Sequence, residues 1–203
     1  MRLYERWILP WLTDLAMRNR ALSRYRGRVV PPAQGNVLEI GVGAGLNLPR
    51  YGNAVTHICA LDPSAALLRL AAARRDAAPC PVALLRGIAE QLPFRDGSFD
   101  TVVMTWTLCS IPDPLLALRE MRRVLRPGGR LLFVEHGLAP EPNVARWQHL
   151  LTPGWKRIAG GCHLDRPAEA LIRDAGFRLE ALDTGYMRGP KPWTFMYEGV
   201  ATR

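Results

Sequence analysis

The stretch Asn36-Val-Leu-Glu-Ile-Gly-Val-Gly-Ala-Gly45 constrains this chain more than any other. Val37, Leu38 and Ile40 make a short apolar run, the pattern of a parallel strand covered on both faces. Gly41, Gly43 and Gly45 then predict a turn where backbone can approach a ligand with no Cβ in the way. A helix is expected just beyond, its free N–H groups pointing into the same crevice. A dinucleotide-binding turn brings amides to a pyrophosphate through Gly-x-Gly-x-x-Gly. Here Leu46 stands where the third glycine belongs, and Glu39 would repel a phosphate. An acid followed by this turn suits a ligand with cationic and hydroxyl groups.

The 203 residues suffice for one well-buried α/β domain and are too few for two of ordinary size. Hydrophobic content of 48% and charged content of 22% exclude a disordered chain. The net charge of +9 is almost wholly arginine, since Lys156 and Lys191 are the lysines. Such a charge favours an acidic partner, but no basic cluster is interleaved with aromatics, so nucleic acid is not expected. Cys59, Cys80, Cys109 and Cys162 contain no C-x-x-C pair, which fits reduced thiols and a cytoplasmic setting. Arg2, Glu5, Arg6 and Asp14 break up the apolar N-terminus, so no secretion signal or spanning helix is read there.

Residues 1–28 carry an apolar helical stripe of Leu3, Trp7, Ile8, Trp11, Leu12 and Leu15, with Pro10 either kinking one helix or opening a second. Arginines follow, from Arg18 to Arg28. Residues 1–30 therefore read as a helical lid over the crevice or as a segment on a membrane surface, peripheral to its inner face. Residues 31–203 form the main domain. Its expected strands are 37–40, 57–61, 82–85, 101–105, 130–135, one from Gly176-Phe177 and one over 194–200. The expected helices are 65–75, one from the Asp113 cap and Pro114 to about Leu125, and 167–175. Trp147, Leu150, Leu151 and Trp155 could line another, restricted by Pro153. Strands alternating with helices predict a Rossmann-like, doubly wound, seven-stranded sheet with its last strand antiparallel and its ligand at the carboxyl strand ends.

Asp62 ends the second strand 21 residues after Gly41, where an acid can accept both hydroxyls of a ribose; the alternative is that Asp62 or Ser64 caps the next helix. With Leu-Asp-Pro-Ser64, Ala89-Glu-Gln-Leu-Pro-Phe94, Phe99-Asp-Thr-Val-Val103 and Arg123-Val-Leu-Arg-Pro-Gly-Gly129, the glycine turn resembles the class I methyltransferases that use S-adenosylmethionine (SAM) and release S-adenosylhomocysteine (SAH). The resemblance covers about residues 35–200. It implies that Glu39, Gly41, Gly43 and Gly45 face the methionine end, Asp62 and Pro63 the ribose, and Ile88, Ala89 and Glu90 the adenine, with Thr105 near the methionine. Many relatives have an aspartate where this chain has Ile88, which implies backbone and apolar contacts to the adenine.

Thr105-Trp-Thr-Leu-Cys-Ser-Ile111, Val134-Glu-His136 and Gly161-Cys-His-Leu-Asp-Arg166 are similar to the alkyl-thiol methyltransferases, whose membrane-anchoring N-terminus is not matched here. That likeness implies a small lipophilic thiol as acceptor. The alternatives are a quinone-type acceptor, a phospholipid, or a module that binds SAM without catalysis. His136 and His163 are the candidate bases or electrostatic aids, and Trp106, Trp147, Trp155, Trp193 and Met187 the candidate acceptor pocket. Cys109, His136, Cys162 and His163 are ligand types too scattered in sequence to predict a metal site. A monomer or homodimer is expected.

Overall fold

The computed structural model describes Tyr4 and residues 8–203; Leu3 and Trp7 of the apolar stripe lie outside the described residues. Helices α1 (Leu9–Met17) and α2 (Arg20–Val29) come first. Strands β1 (Gly35–Ile40), β2 (Val55–Asp62), β3 (Val82–Arg86), β4 (Phe99–Thr105) and β5 (Leu125–His136) follow, with α3 (Ala65–Ala72) and α4 (Pro114–Val124) between them. Then come α5 (Pro142–Ile158), α6 (Ala168–Asp174), β6 (Arg178–Tyr186), α7 (Lys191–Thr194) and β7 (Phe195–Thr202). The seven strands lie in the order β3-β2-β1-β4-β5-β7-β6. The first five pair in parallel, and β7 runs antiparallel to both β5 and β6, as the sequence predicts.

Period-two alternation sends the strand side chains to two cores. Leu38, Ile40, Leu61, Val102, Met104 and Phe133 pack with α4 and α6 on one face, and Val37, Ile58, Ala60, Val103 and Leu132 pack with α2 and α3 on the other. Strands buried on both sides carry apolar residues at consecutive positions, as Val37-Leu38 of β1 and Val102-Val103-Met104 of β4 do. Strand order reverses between β1 and β4, so their carboxyl ends splay apart and open a crevice.

Pro10 falls in the first turn of α1, where its missing N–H costs nothing. Asp113 caps α4 through its side chain, which accepts from Leu116 N at 3.0 Å, and Ser64 caps α3 by accepting from Leu67 N at 3.3 Å. Helix α5 runs through Pro153 to Ile158. One expectation fails: no α-helix follows the glycine turn. Residues 41–47 form turns and Leu48–Arg50 a single 3₁₀ turn. The cause lies in Asn47 and Tyr51, whose side chains turn inward to a common buried partner, Glu39, with Pro49 between them.

Candidate active site

The carboxyl ends of β1, β2 and β4 open onto a cavity of about 360 Å³. Gly41, Gly43, Asn47, Asp62, Pro63, Ala89, Glu90 and Thr105 line it, together with Ile88, half-exposed at its rim. Gly41 adopts φ +69°, and a Cβ there would stand 2.2 Å from Thr107 Oγ1. Only glycine serves at that point. Asp62 is not the helix cap. Its Oδ2 accepts from Gly43 N at 2.9 Å and its Oδ1 from Ser64 N at 2.8 Å, tying the end of β2 to the glycine turn. Burial raises the Asp62 pKa above the usual carboxylate value, against the pull of these two amides.

Glu39 and Gly45 lie behind this wall and are not among the lining residues. Glu39 is fully buried, its Oε1 accepting from Asn47 Nδ2 at 2.9 Å and its Oε2 from Tyr51 OH at 2.8 Å. Burial pushes Glu39 up to about 7, although the bonds from Tyr51 and Asn47 and the charge of Arg26 pull the other way. Asn47 Nδ2 also donates to Thr105 Oγ1 at 3.0 Å, so Glu39 fixes the side chain that forms the wall. Asn47 Oδ1 is buried with no partner among the described residues.

Helices α1 and α2 close the other side through Leu9, Pro10, Thr13, Asp14, Met17 and Arg26. Asp14 is buried and pairs with Arg18 and with Arg74, the latter at 3.2 Å; Arg74 also bonds the Ala44 carbonyl in the glycine turn. Arg26 lies 4.7 Å over the Trp106 ring and donates to Met17 O at 3.0 Å. Burial pulls its guanidinium down to about 10. Trp106 takes φ +51° where β4 ends, a strained conformation for an aromatic residue at a site wall. Of the five acceptor-pocket candidates Trp106 alone lines this cavity. Trp147 is exposed, Trp155 and Trp193 meet edge to face, and Met187 packs on the second core.

His136 and His163 are likewise absent from the lining. His163 Nδ1 stands 3.7 Å from Asp165 Oδ1. His136 Nε2 lies 3.2 Å from Cys162 Sγ, and Cys109 Sγ is beside them. The fold thus gathers three residues whose sequence spacing kept them apart. The Cys109 thiol is held well below its ordinary pKa, chiefly by its hydrogen bond with Cys162, whose own pKa is raised by that bond and by burial. Cys109 also outweighs the effect of burial on His136 and raises it.

Asn47, Tyr51, Arg26, Arg74 and the inward role of Asp14 escaped the sequence reading. An acid inside the stripe of Trp11, Leu12 and Leu15 was the available signal for Asp14; nothing local marks the others.

Residues 38–133 match the family described as Methyltransferase domain. Thiol S-methyltransferase TMT1B of Homo sapiens is 34% identical over 165 residues, covering 79% of this chain and 67% of that protein. Phosphatidylethanolamine N-methyltransferase of Cereibacter sphaeroides is 31% identical over 204 residues, covering 96% and 94%. The chain belongs to the SAM-dependent methyltransferases. A solved methyltransferase structure from Thermotoga maritima, described as a possible histamine N-methyltransferase, superposes with a TM-score of 0.69 at 25% identity over 99% of this chain and 98% of that one.

The methyltransferase's cavity fits its cofactor. Carboxylates of Asp62 and Glu90 and the unpartnered Asn47 Oδ1 offer acceptors to a ligand rich in cationic and hydroxyl groups, and the Gly41 turn leaves the backbone bare. SAM, when bound, supplies a methyl carbon already activated by its sulfonium. The protein's part in such a transfer is alignment and exclusion of water.

Proposed function

We propose that this methyltransferase methylates a small lipophilic thiol. The observation that carries the reading is the make-up of the cavity wall: among the described residues that line it there is no histidine, lysine or cysteine. Its carboxylates are also engaged, Asp14 by two arginines, Asp62 by two amides and Glu90 by Asp113 N at 3.4 Å. A wall without histidine, lysine or cysteine suits the acceptor that needs a base least. A thiol is the more acidic acceptor: with cysteine's pKa of about 8.5 as reference it supplies some thiolate near neutral pH unaided, whereas an alkylammonium, at about 10, or a hydroxyl gives up its proton less readily. A volume of about 360 Å³ is near the lower end of the roughly 300–1,000 Å³ of ligand sites, so little room remains beside a cofactor. TMT1B, a thiol S-methyltransferase, is a relative in keeping with this reading. His136 and His163 need not touch the acceptor.

The second reading, a phospholipid acceptor at a membrane surface, is favoured by one observation. Trp11 and Leu15 of α1 and Trp147, Leu150 and Ile158 of α5 are exposed, near the cationic Arg18, Lys156 and Arg157. Leu9 meets Gly160 just after α5, so the two helices adjoin. No described helix is long and apolar enough to cross a membrane, which leaves surface contact as the mode.

SAH release separates the readings when the protein is offered an alkanethiol, hydrogen sulfide, a quinol and vesicles containing phosphatidylethanolamine. Turnover with the thiols is expected. Turnover on the vesicles alone would refute the thiol reading and establish the second.

A further inference from the structure

The geometry points to a site for a thiophilic divalent ion of the zinc class, built from Cys109 Sγ, His136 Nε2 and Cys162 Sγ. These residues come from three places in the fold: the turn after β4, the last residue of β5 and the turn after α5. Their ligand atoms all lie within 4.8 Å of one another, and the His136–Cys162 separation is 3.2 Å. Bonds of roughly 2.3 Å to sulfur and 2.0 Å to nitrogen place a tetrahedral sulfur and nitrogen about 3.5 Å apart and two sulfurs about 3.8 Å apart, so the widest edge needs to contract by no more than about 1.3 Å.

The backbone is arranged to hold that geometry. His163 N donates to Cys109 O at 2.8 Å, clamping the Cys162 turn onto the Cys109 turn. Glu135 Oε1 accepts from Thr107 N at 2.8 Å, fixing the end of β5 against the same segment. His136 enters the cluster through Nε2, and its Nδ1 is buried with no partner among the described residues. Ligation at Nε2 would place the ring proton on Nδ1 and settle the tautomer.

The chemistry of the set also selects the ion. Two thiolates and a neutral imidazole cancel a charge of +2, so the loaded site can remain in the interior without an uncompensated charge. Soft sulfur with nitrogen favours zinc over magnesium or calcium. Three protein ligands leave one tetrahedral position for water or another small donor, the pattern of open rather than closed sites. The cluster lies one residue behind the cavity, because Ser110, next to Cys109, and Gly160, two before Cys162, both line the wall. An ion here would therefore pin the wall of the active site.

Reduced full-length protein, dialysed against zinc and passed over a desalting column, is expected to retain one zinc per chain. Cobalt(II) in its place should give intense thiolate-to-cobalt absorption and the visible bands of a tetrahedral ion. C109S and C162S should each lower zinc affinity at least tenfold, while C80S, a cysteine outside the cluster, should match the parent. Circular dichroism and a cooperative unfolding transition serve as the folding check. C162S, at the less buried corner, carries the test if C109S does not fold. Cobalt without thiolate absorption in the fully reduced parent overturns the site. So does zinc that survives undiminished in folded C162S, or a parent that yields a Cys109–Cys162 disulfide and never takes up metal.

Discussion

Replacing Glu39 by glutamine should make the protein more stable near neutral pH, and the gain should vanish in acid. The side chains are the same size, and glutamine can keep both contacts: its oxygen accepts from Asn47 Nδ2, and its amide donates to the Tyr51 oxygen. The difference is the proton. In the fold burial raises Glu39 from 4.5 to about 7, whereas the unfolded chain releases its proton at the ordinary value. Between those limits the native state binds more protons than the unfolded one, so stability falls as pH rises. Below the window both states are protonated and Glu39 costs nothing. Above it both are ionised and the full penalty is present, about 3 kcal/mol at 1.36 kcal/mol per pKa unit. For a chain of this size that is a shift of roughly 6–12 °C in Tm. Urea unfolding of parent and E39Q without cofactor, at constant ionic strength from pH 4.5 to 8, isolates this term because every other group titrates in both proteins. A difference between the two that does not change with pH would refute the reasoning, since it would mean that Glu39 titrates alike in the folded and unfolded chain.

Asp62→Ala should weaken SAH binding by roughly 10- to 150-fold, the worth of a charge-assisted hydrogen bond of about 1.5–3 kcal/mol; calorimetry showing less than a twofold change would remove Asp62 from the site. Gly41→Ala should destabilise the protein by about 1–3 kcal/mol, because it combines φ +69° with a contact at 2.2 Å to Thr107; unfolding with an unchanged midpoint would show that the turn relaxes freely. Arg74→Ala removes the bridge from Asp14 to the Ala44 carbonyl and should speed SAH release several-fold in stopped flow; an unchanged off-rate would mean that α1 does not gate the cavity.

What the sequence discloses here is what local physics decides. The glycine turn, the Asp113 cap and the alternation of buried strands each depend on neighbours a few residues away, and each stands where the pattern puts it. The place of Asp62 beside the glycine turn was legible because one strand and its crossover fix the distance from Gly41. The expected helix after the turn was not formed because its side chains have a stronger claim elsewhere. Asn47 and Tyr51 reach back to a buried carboxylate 8 and 12 residues earlier, a bond that no helical periodicity announces. Cys109, His136 and Cys162 are hidden for the same reason: 26 residues separate the last two, and only the closure of the α5 turn over β5 makes them neighbours.

The cost assigned to Glu39 bears on how the site handles charge. A neutral residue there would stabilise the empty protein, so the carboxyl's value must lie in the loaded one. Glu39 accepts from Asn47, which in turn donates to Thr105; both of these residues line the cavity, and Asn47 keeps a free acceptor. A ligand carrying an ammonium and a sulfonium brings positive charge to a wall backed by a group that is half protonated near pH 7. Positive charge favours the ionised carboxyl and lowers its pKa. Cofactor binding near pH 7 is therefore expected to release a fraction of a proton, whereas SAH, which lacks the sulfonium charge, should release less. Titrations in buffers of different ionisation enthalpy read that number directly. In E39Q the difference between the two ligands should disappear; a difference that persists would place the titrating group elsewhere, with Asp62 the next to test.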